Sequence, residues 1–298
     1  MSDRMTARLR ALLARPGCII APGVADALGA RLVALEGFDA VYMTGFGTSL
    51  TRLGMPDVGL LTASEMVDNA MRIADASQLP VVADADTGYG NPVNVRRTIR
   101  DYERAGVAGV HLEDQQWPKR CGHLSGKRVI PTEEMVAKLK SACDARRDSD
   151  FVIIARTDAI AVEGIDAAFE RAERYREAGA DVLFVEAPVG VEQVRQVAQR
   201  FKGVPLLYNM AASGKTPDLP ADELGRLGFK LAIYPNWMLL AAIPAMQGLL
   251  RELKRAGGIA GVRDKVATFK QFTEIAGLPE VQALEARYGV PEDSRASL

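Results

Sequence analysis

Glu177-Ala178-Gly179-Ala180-Asp181-Val182 closes a helical pattern on a glycine and enters an apolar β pattern almost at once. Glycine tolerates the left-handed cap that such a stop requires. The same shape returns in Leu35-Glu36-Gly37-Phe38-Asp39-Ala40, Arg104-Ala105-Gly106-Val107-Ala108-Gly109 and Arg226-Leu227-Gly228-Phe229-Lys230-Leu231. Working outward, short apolar runs at 18–24, 40–45, 80–86, 109–114, 151–158, 182–188, 205–210 and 231–236 read as strands. Helical patterns alternate with them at 25–36, 63–77, 92–105, 132–146, 165–178, 191–201, 221–227 and 237–256. Eight β-then-α units predict an α/β chain folded as a (β/α)8 TIM barrel. A doubly wound open sheet is the alternative, weakened because no glycine-rich dinucleotide fingerprint follows the first strand.

The chain has 298 residues, 48% hydrophobic and 25% charged, which suits one barrel domain over 1–298 with a helical tail from about 257. A net charge of −1 gives no field for nucleic acid or an anionic membrane surface. No apolar run reaches the roughly 18 residues that span a bilayer. Cys18, Cys121 and Cys143 make no disulfide framework and no signal peptide precedes them, so a reducing cytoplasm is expected. Arg4, Arg8, Arg10 and Arg15 give the start a transit-peptide flavour. Leu9, Leu12 and Leu13 follow helical spacing, however, and predict an amphipathic helix packed on the domain.

Residues 115–131 are long, charged and unpatterned where connections are usually about 2 to 6 residues. Such a loop after a barrel strand is a candidate lid. It contains Lys119-Arg120-Cys121-Gly122-His123, a thiol among cations that would lower its pKa from about 8.5. The plainer reading is a solvated basic loop with an incidental cysteine. The tail carries helical patterns at 262–275 and 280–288, with no ninth strand to cover, and is expected to pack on another subunit.

Barrel active sites lie at the carboxyl ends of strands. The third strand ends in Asp84 and Asp86, on one face by the period of two, and the fourth supplies Glu113. Clustered acids on apolar strands need compensation, and all-oxygen donors suit Mg²⁺ or Mn²⁺. Helix capping or pairing with Arg156 would be the structural explanation. Two histidines without ligand spacing argue against zinc. His111 reads as a core residue, and Cys18 and Cys143 as packing residues. Tyr42, Thr44, Gly45, Arg156, Asp158, Glu186, Asn209 and Asn236 complete one rim. Metal, arginine, thiol and tyrosine together suit an anionic, oxygen-rich substrate whose carbanion must be protonated.

These blocks resemble the isocitrate lyase and phosphoenolpyruvate mutase superfamily over most of the chain. The matching segments are Tyr42-Met43-Thr44-Gly45-Phe46-Gly47, Asp84-Ala85-Asp86-Thr87-Gly88-Tyr89-Gly90, Leu112-Glu113-Asp114-Gln115, Lys119 to His123, Ala155-Arg156-Thr157-Asp158 and Val185-Glu186-Ala187-Pro188. The resemblance implies a barrel that exchanges its last helix with a neighbour, within a homotetramer. It implies Mg²⁺ at Asp84, Asp86 and Glu113, and a small carboxylate substrate held by Thr44, Gly45, Phe46, Gly122, His123, Arg156, Glu186 and Asn209. It implies retro-aldol cleavage of a 2-hydroxy acid to a 2-oxo acid and a carboxylic acid, with Tyr42 as base and Cys121 as acid. Mutases of the superfamily lack this thiol, so Cys121 favours a lyase.

The chain departs from the methylisocitrate lyase pattern where two carboxylate-gripping arginines are matched by Leu240 and Phe269. Without those cations a third carboxylate lacks charge-assisted partners, each worth about 1.5 to 3 kcal/mol. The expected substrate is therefore a 2-alkylmalate, with Phe46 and Trp237 shaping the pocket. The alternatives are 2-methylisocitrate cleavage, hydrolysis or decarboxylation of oxaloacetate, carboxyphosphonoenolpyruvate or phosphoenolpyruvate mutation, and a non-catalytic ligand binder.

Overall fold

A computed structural model describes residues 4–122, 126–212 and 215–296. In chain order the elements are α1 (Met5–Ala14), β1 (Ile19–Val24), α2 (Ala27–Leu35), β2 (Val41–Met43), α3 (Gly45–Leu53), α4 (Ala63–Ser77), β3 (Val81–Asp84), α5 (Pro92–Arg104), β4 (Gly109–Glu113) and α6 (Thr132–Ala145). There follow β5 (Val152–Thr157), α7 (Ile160–Glu163), α8 (Ile165–Glu177), β6 (Val182–Val185), α9 (Gly190–Arg200), β7 (Leu206–Asn209), α10 (Ala221–Leu227), β8 (Phe229–Tyr234), α11 (Trp237–Ala256), α12 (Phe269–Ile275) and α13 (Leu278–Arg287).

The eight strands pair in parallel in sequence order, and β8 returns to β1 with Ile19 opposite Leu231 and Pro22 opposite Tyr234, closing the barrel. The expected (β/α)8 architecture is thus the observed one. Alternation along each strand sorts the side chains. Val41, Met43, Val81, Ala83, Val110, Leu112, Ile153 and Leu183 pack outward into the core shared with the helices. Tyr42, Val82, Val152, Ile154, Val182, Phe184 and Leu207 form a separate inner core. Two residues further along the same inward rows come Asp84, Arg156, Glu186 and Asn209, joined by His111 and Glu113 of β4, all buried.

The floor of the barrel is closed by α1. Its Leu9, Leu12 and Leu13 are buried in the inner core, as the amphipathic pattern predicted. The arginines around them are held at the rim: Arg4 pairs with Asp148 and Asp150, and Arg10 with Asp181. A buried leucine stabilises by about 1.5–3 kcal/mol relative to exposure, so three of them fix this helix firmly.

Helix boundaries follow local chemistry. Thr62 and Glu65 form a capping box at the start of α4, and Asn91 and Asn94 do so at α5, where Pro92 occupies the first turn. The short helix α3 had no counterpart in the sequence reading. It begins immediately after β2, capped by Thr44, whose hydroxyl accepts from Gly47 N at 3.2 Å. Its sequence, Gly45-Phe46-Gly47-Thr48-Ser49, holds two glycines and poor helix formers, which hid it.

The chain divides into two compact units, Met1–Met238 and Leu239–Leu298. The sequence reading placed one domain over the whole chain with a tail from about 257; the division instead falls within α11. In the second unit the 262–275 pattern resolves into a 3₁₀ turn at Ala260–Lys265 and α12, and the 280–288 pattern into α13. None of the residues of α11, α12 or α13 is buried. No helix among the described residues is long and apolar enough to cross a membrane.

Candidate active site

At the carboxyl ends of the strands a cavity of about 50 Å³ is lined by Tyr42, Thr44, Phe46, Asp84, Glu113, Cys121, Gly122, Arg156, Glu186 and Asn209. That volume holds about one or two waters. Ten of the side chains and backbones singled out from sequence therefore meet at one point. Asp57, Lys119, Ala211, Pro235 and Asn236 complete the lining. A larger hollow of about 750 Å³ lies elsewhere, among Leu60, Tyr89, Trp117 and Lys138, and lacks this convergence of charge. His123 lies outside the described residues.

Gly45 and Asp86 stand just behind the lining. A Cβ on Gly45 would sit 2.4 Å from Asp84 Oδ2, and its N–H donates to that oxygen at 3.2 Å. Only glycine lets the start of α3 approach β3 so closely. The period-two argument for Asp86 does not hold, because β3 stops at Asp84. Asp86 is instead turned by a left-handed backbone, φ 48°, that its own N–H stabilises by donating to Asp84 Oδ1 at 2.9 Å.

The acids are compensated by cations that converge from other elements. Lys119 Nζ lies 2.6 Å from Asp57 and 2.7 Å from Asp86 Oδ1, with the lysine buried. Arg156 donates from Nε to Asp158 Oδ2 at 2.9 Å and from Nη2 to Asp158 Oδ1 at 3.1 Å, and lies 3.4 Å from Glu113 Oε2. Burial weakens both cations, but the surrounding carboxylates outweigh it and hold Lys119 and Arg156 charged. Burial likewise raises Asp84, yet His111, Lys119 and Arg156 bring it below its ordinary value. Burial pushes Asp86 up to about 6 against the pull of Lys119, which leaves it ionised at neutral pH.

Glu113 differs. Burial carries its carboxyl well above the ordinary range, and the charges of Arg156 and Lys119 offset only part of that. Its Oε1 is buried without a hydrogen-bond partner, and so is Asn209 Oδ1. Asp86 Oδ1 has the Lys119 ammonium beside it at 2.7 Å. Among the described residues no three His, Cys, Asp or Glu side chains converge to hold one ion. Mg²⁺ needs no such cage, since it keeps several waters and takes one or two carboxylates beside its substrate. The hard carboxylate and carboxyl oxygens of Asp84, Asp86 and Glu113, with Glu113 Oε1 left without a partner, fit that mode of binding.

Tyr42 and His111 form a pair that sequence reading missed. The phenol oxygen lies 2.9 Å from His111 Nε2, which is 3.6 Å from Asp84 Oδ1. Burial, then the Asp84 charge, raise the phenol well above its ordinary value, so it is protonated. Burial pushes the imidazole down to about 4, more than Asp84 can restore, so it is neutral. His111 was read as a core residue because an isolated histidine on an apolar strand carries no signal of its partner.

The candidate lid lies over this mouth. Gly122 packs so closely that a Cβ would stand 2.3 Å from Arg156 Nη2 and 2.6 Å from Glu186 Oε1. Gln115 pins the approach by donating to Arg120 O at 2.8 Å and accepting from Arg120 N at 3.0 Å. Cys121 is half-buried at the cavity wall. Asp57, which anchors Lys119, was also missed, since nothing in Met55-Pro56-Asp57 marks it.

Residues 9–254 match the family described as phosphoenolpyruvate phosphomutase. The chain belongs to that family, within the phosphoenolpyruvate mutase and isocitrate lyase superfamily. It is 48% identical to 2,3-dimethylmalate lyase of Eubacterium barkeri over 95% of this chain and 97% of the relative. The crystal structure of a 2,3-dimethylmalate lyase superposes with a TM-score of 0.93 at 40% identity, covering 100% of both chains. That of an oxaloacetate acetylhydrolase bound to 3,3-difluorooxalacetate does so at 0.93 and 37%, covering 97% of this chain and 99% of the other. The protein is an enzyme of this superfamily, and its homologues include lyases that cleave carbon–carbon bonds. Each of the blocks that carried the resemblance contributes at least one residue to the lining of the barrel mouth.

Proposed function

We propose that the protein cleaves a 2-alkylmalate-type 2-hydroxy dicarboxylate into a 2-oxo acid and a carboxylic acid. The observation that carries this reading is the cation count of the cavity. Among the described lining residues only Arg156 and Lys119 are positive, and Lys119 is engaged by Asp57 and Asp86. One guanidinium and a metal serve two carboxylates; a third would be buried without a partner. Phe46, Ala211 and Pro235 supply apolar wall for alkyl groups. The likeness to 2,3-dimethylmalate lyase supports the same substrate class.

Asp84, Asp86 and Glu113 would hold Mg²⁺, or Mn²⁺, which when bound acts as a Lewis acid on the 2-oxygen. Arg156, fixed by Asp158, would orient one substrate carboxylate by paired hydrogen bonds. Tyr42 would take the hydroxyl proton while passing its own along the 2.9 Å contact to neutral His111. As the carbonyl forms, the electrons of the breaking C–C bond pass to the carbon beside the second carboxylate. Cys121 would give its S–H proton to that carbon and be left as thiolate, next to the positive charge of its loop. Gly45 N–H is taken by Asp84, which leaves Thr44, Phe46, Gly122, Glu186 and Asn209 for the remaining substrate contacts, with His123 a further candidate.

The same reading includes a homotetramer that exchanges its last helix, in the cytoplasm. In support, α11 exposes Leu240, Met246, Leu250 and Leu253, apolar area that a second copy would cover. Phe269 and Phe272 are likewise exposed.

Purified protein with Mg²⁺ should release a 2-oxo acid from 2-alkylmalates faster than from 2-methylisocitrate, and Cys121→Ser should abolish that release. Preference for 2-methylisocitrate, release of oxalate and acetate from oxaloacetate, or phosphorus rearrangement of phosphoenolpyruvate would each overturn it.

A further inference from the structure

Two buried lysines flank the thiol in the chain, and only Lys119 faces the cavity. The other, Lys127, has a side chain 2% exposed and meets a fully buried Asp158 at 2.9 Å. Its Nζ also donates to the backbone carbonyl of Gly122, the residue that follows Cys121. The carboxylate it holds is the one that fixes Arg156 Nε and Nη2. Gly122 itself rests against Arg156 and Glu186 with no room for a side chain.

We propose that Lys127 is a positioning residue that sets the reach of Cys121 by tying Gly122 to the Asp158–Arg156 pair. One ammonium joins the peptide next to the proton donor to the carboxylate that aims the substrate-binding guanidinium. The distance between acid and substrate anchor is then set by one buried group rather than by the loop's own conformational freedom. Lysine suits the task because its three donors radiate from a point, and can serve a carbonyl and a carboxylate that are not coplanar. A planar guanidinium in the same buried slot could satisfy Asp158 but would push the Gly122 carbonyl away. Burial without a partner would be costly for either charge, which keeps the tie intact while the barrel is folded.

The role rests on the reading of Cys121 as proton donor, and the test separates the two. Lys127→Arg and Lys127→Met are compared with wild type for melting temperature, for the rate of Cys121 labelling by iodoacetamide, and for kcat and KM on 2-alkylmalate. Lys127→Arg keeps the charge that Asp158 needs. It should therefore melt near wild type yet label Cys121 at a clearly altered rate and lose roughly a hundredfold in kcat, the usual cost of about 1 Å of misplacement. KM should change far less than kcat. Should Lys127→Met fail to fold, Lys127→Arg decides alone. Wild-type labelling and turnover in Lys127→Arg would refute the tie, as would lost turnover with unchanged labelling, which would mean that Lys127 acts through Asp158 alone. Altered labelling in Lys127→Arg together with an active Cys121→Ser enzyme would uphold the tie and sink the proton-donor reading instead.

Discussion

The Tyr42 hydroxyl and His111 Nε2 are 2.9 Å apart, both side chains buried, at the bottom of a mouth lined with carboxylates. The pair joins β2 to β4 across β3, whose Asp84 lies within 3.6 Å of the same imidazole nitrogen. A protonated phenol against a neutral imidazole is a poised base: each group's charged form is disfavoured by burial, so the proton moves only when substrate supplies the driving force.

Replacing His111 should therefore act through Tyr42. We expect His111→Phe and Tyr42→Phe each to lower kcat by about 10²-fold or more, the lower end for general acid–base catalysis. The double variant should be little worse than either single one, since the two act as a unit. Steady-state kinetics check this, and additive losses would show that the residues act separately.

Thiol chemistry should be confined to the lid. Burial raises Cys18 to about 12 despite the nearby charge of Lys230, and burial also raises Cys143. Near neutral pH both are thiols and poor nucleophiles. Iodoacetamide should modify Cys121 first, as read by peptide mass mapping, and the Cys121→Ser chain should take up little label until the medium is strongly alkaline.

Metal binding should be coupled to a proton. Burial raises the Glu113 carboxyl well above its ordinary value, while a ligand must be the carboxylate. Occupation by Mg²⁺ then expels a proton, so affinity rises with pH and falls on acidification. Calorimetry in buffers of different ionisation enthalpy reads the released proton directly; a pH-independent affinity with no proton release would exclude Glu113 from the site.

Gly122→Ala places a methyl where Arg156 Nη2 and Glu186 Oε1 already stand, 2.3 and 2.6 Å away. The lid must back off, and roughly a hundredfold of kcat should go with it. Thermal stability should stay near wild type, because the lid carries little of the core. A Gly122→Ala enzyme with full turnover would show that the close approach is not needed.

Leu9→Ala tests the floor of the barrel. The side chain is fully buried in the inner core, and truncation should cost about 2–5 kcal/mol. Urea denaturation should show the loss in midpoint, with kcat unchanged, since Leu9 is at the end of the barrel away from the mouth.

Much of this was legible in the chain. The glycine-closed helices, the eight apolar runs and the alternation along them determine a closed parallel barrel, because burial of a strand on both faces and a tight helix stop are local demands. Their places at strand ends put Tyr42, Asp84, Glu113, Arg156, Glu186 and Asn209 at one rim, and the lid was marked by its length and its charge. Local patterns failed where the backbone leaves its period: Asp86 sits beyond the end of β3 in a left-handed turn, and α3 grows from a glycine-rich stretch with little helix propensity.

Only the tertiary structure decided which groups pair. Lys119 with Asp57, Tyr42 with His111, and Gly122 and Asp158 with Lys127 each include one partner that nothing in its own stretch of sequence singles out. Periodicity says which way a side chain points, a matter of one element. Partnership depends on how far apart two elements stand and on what burial does to the charge between them, and those are set only when the barrel closes.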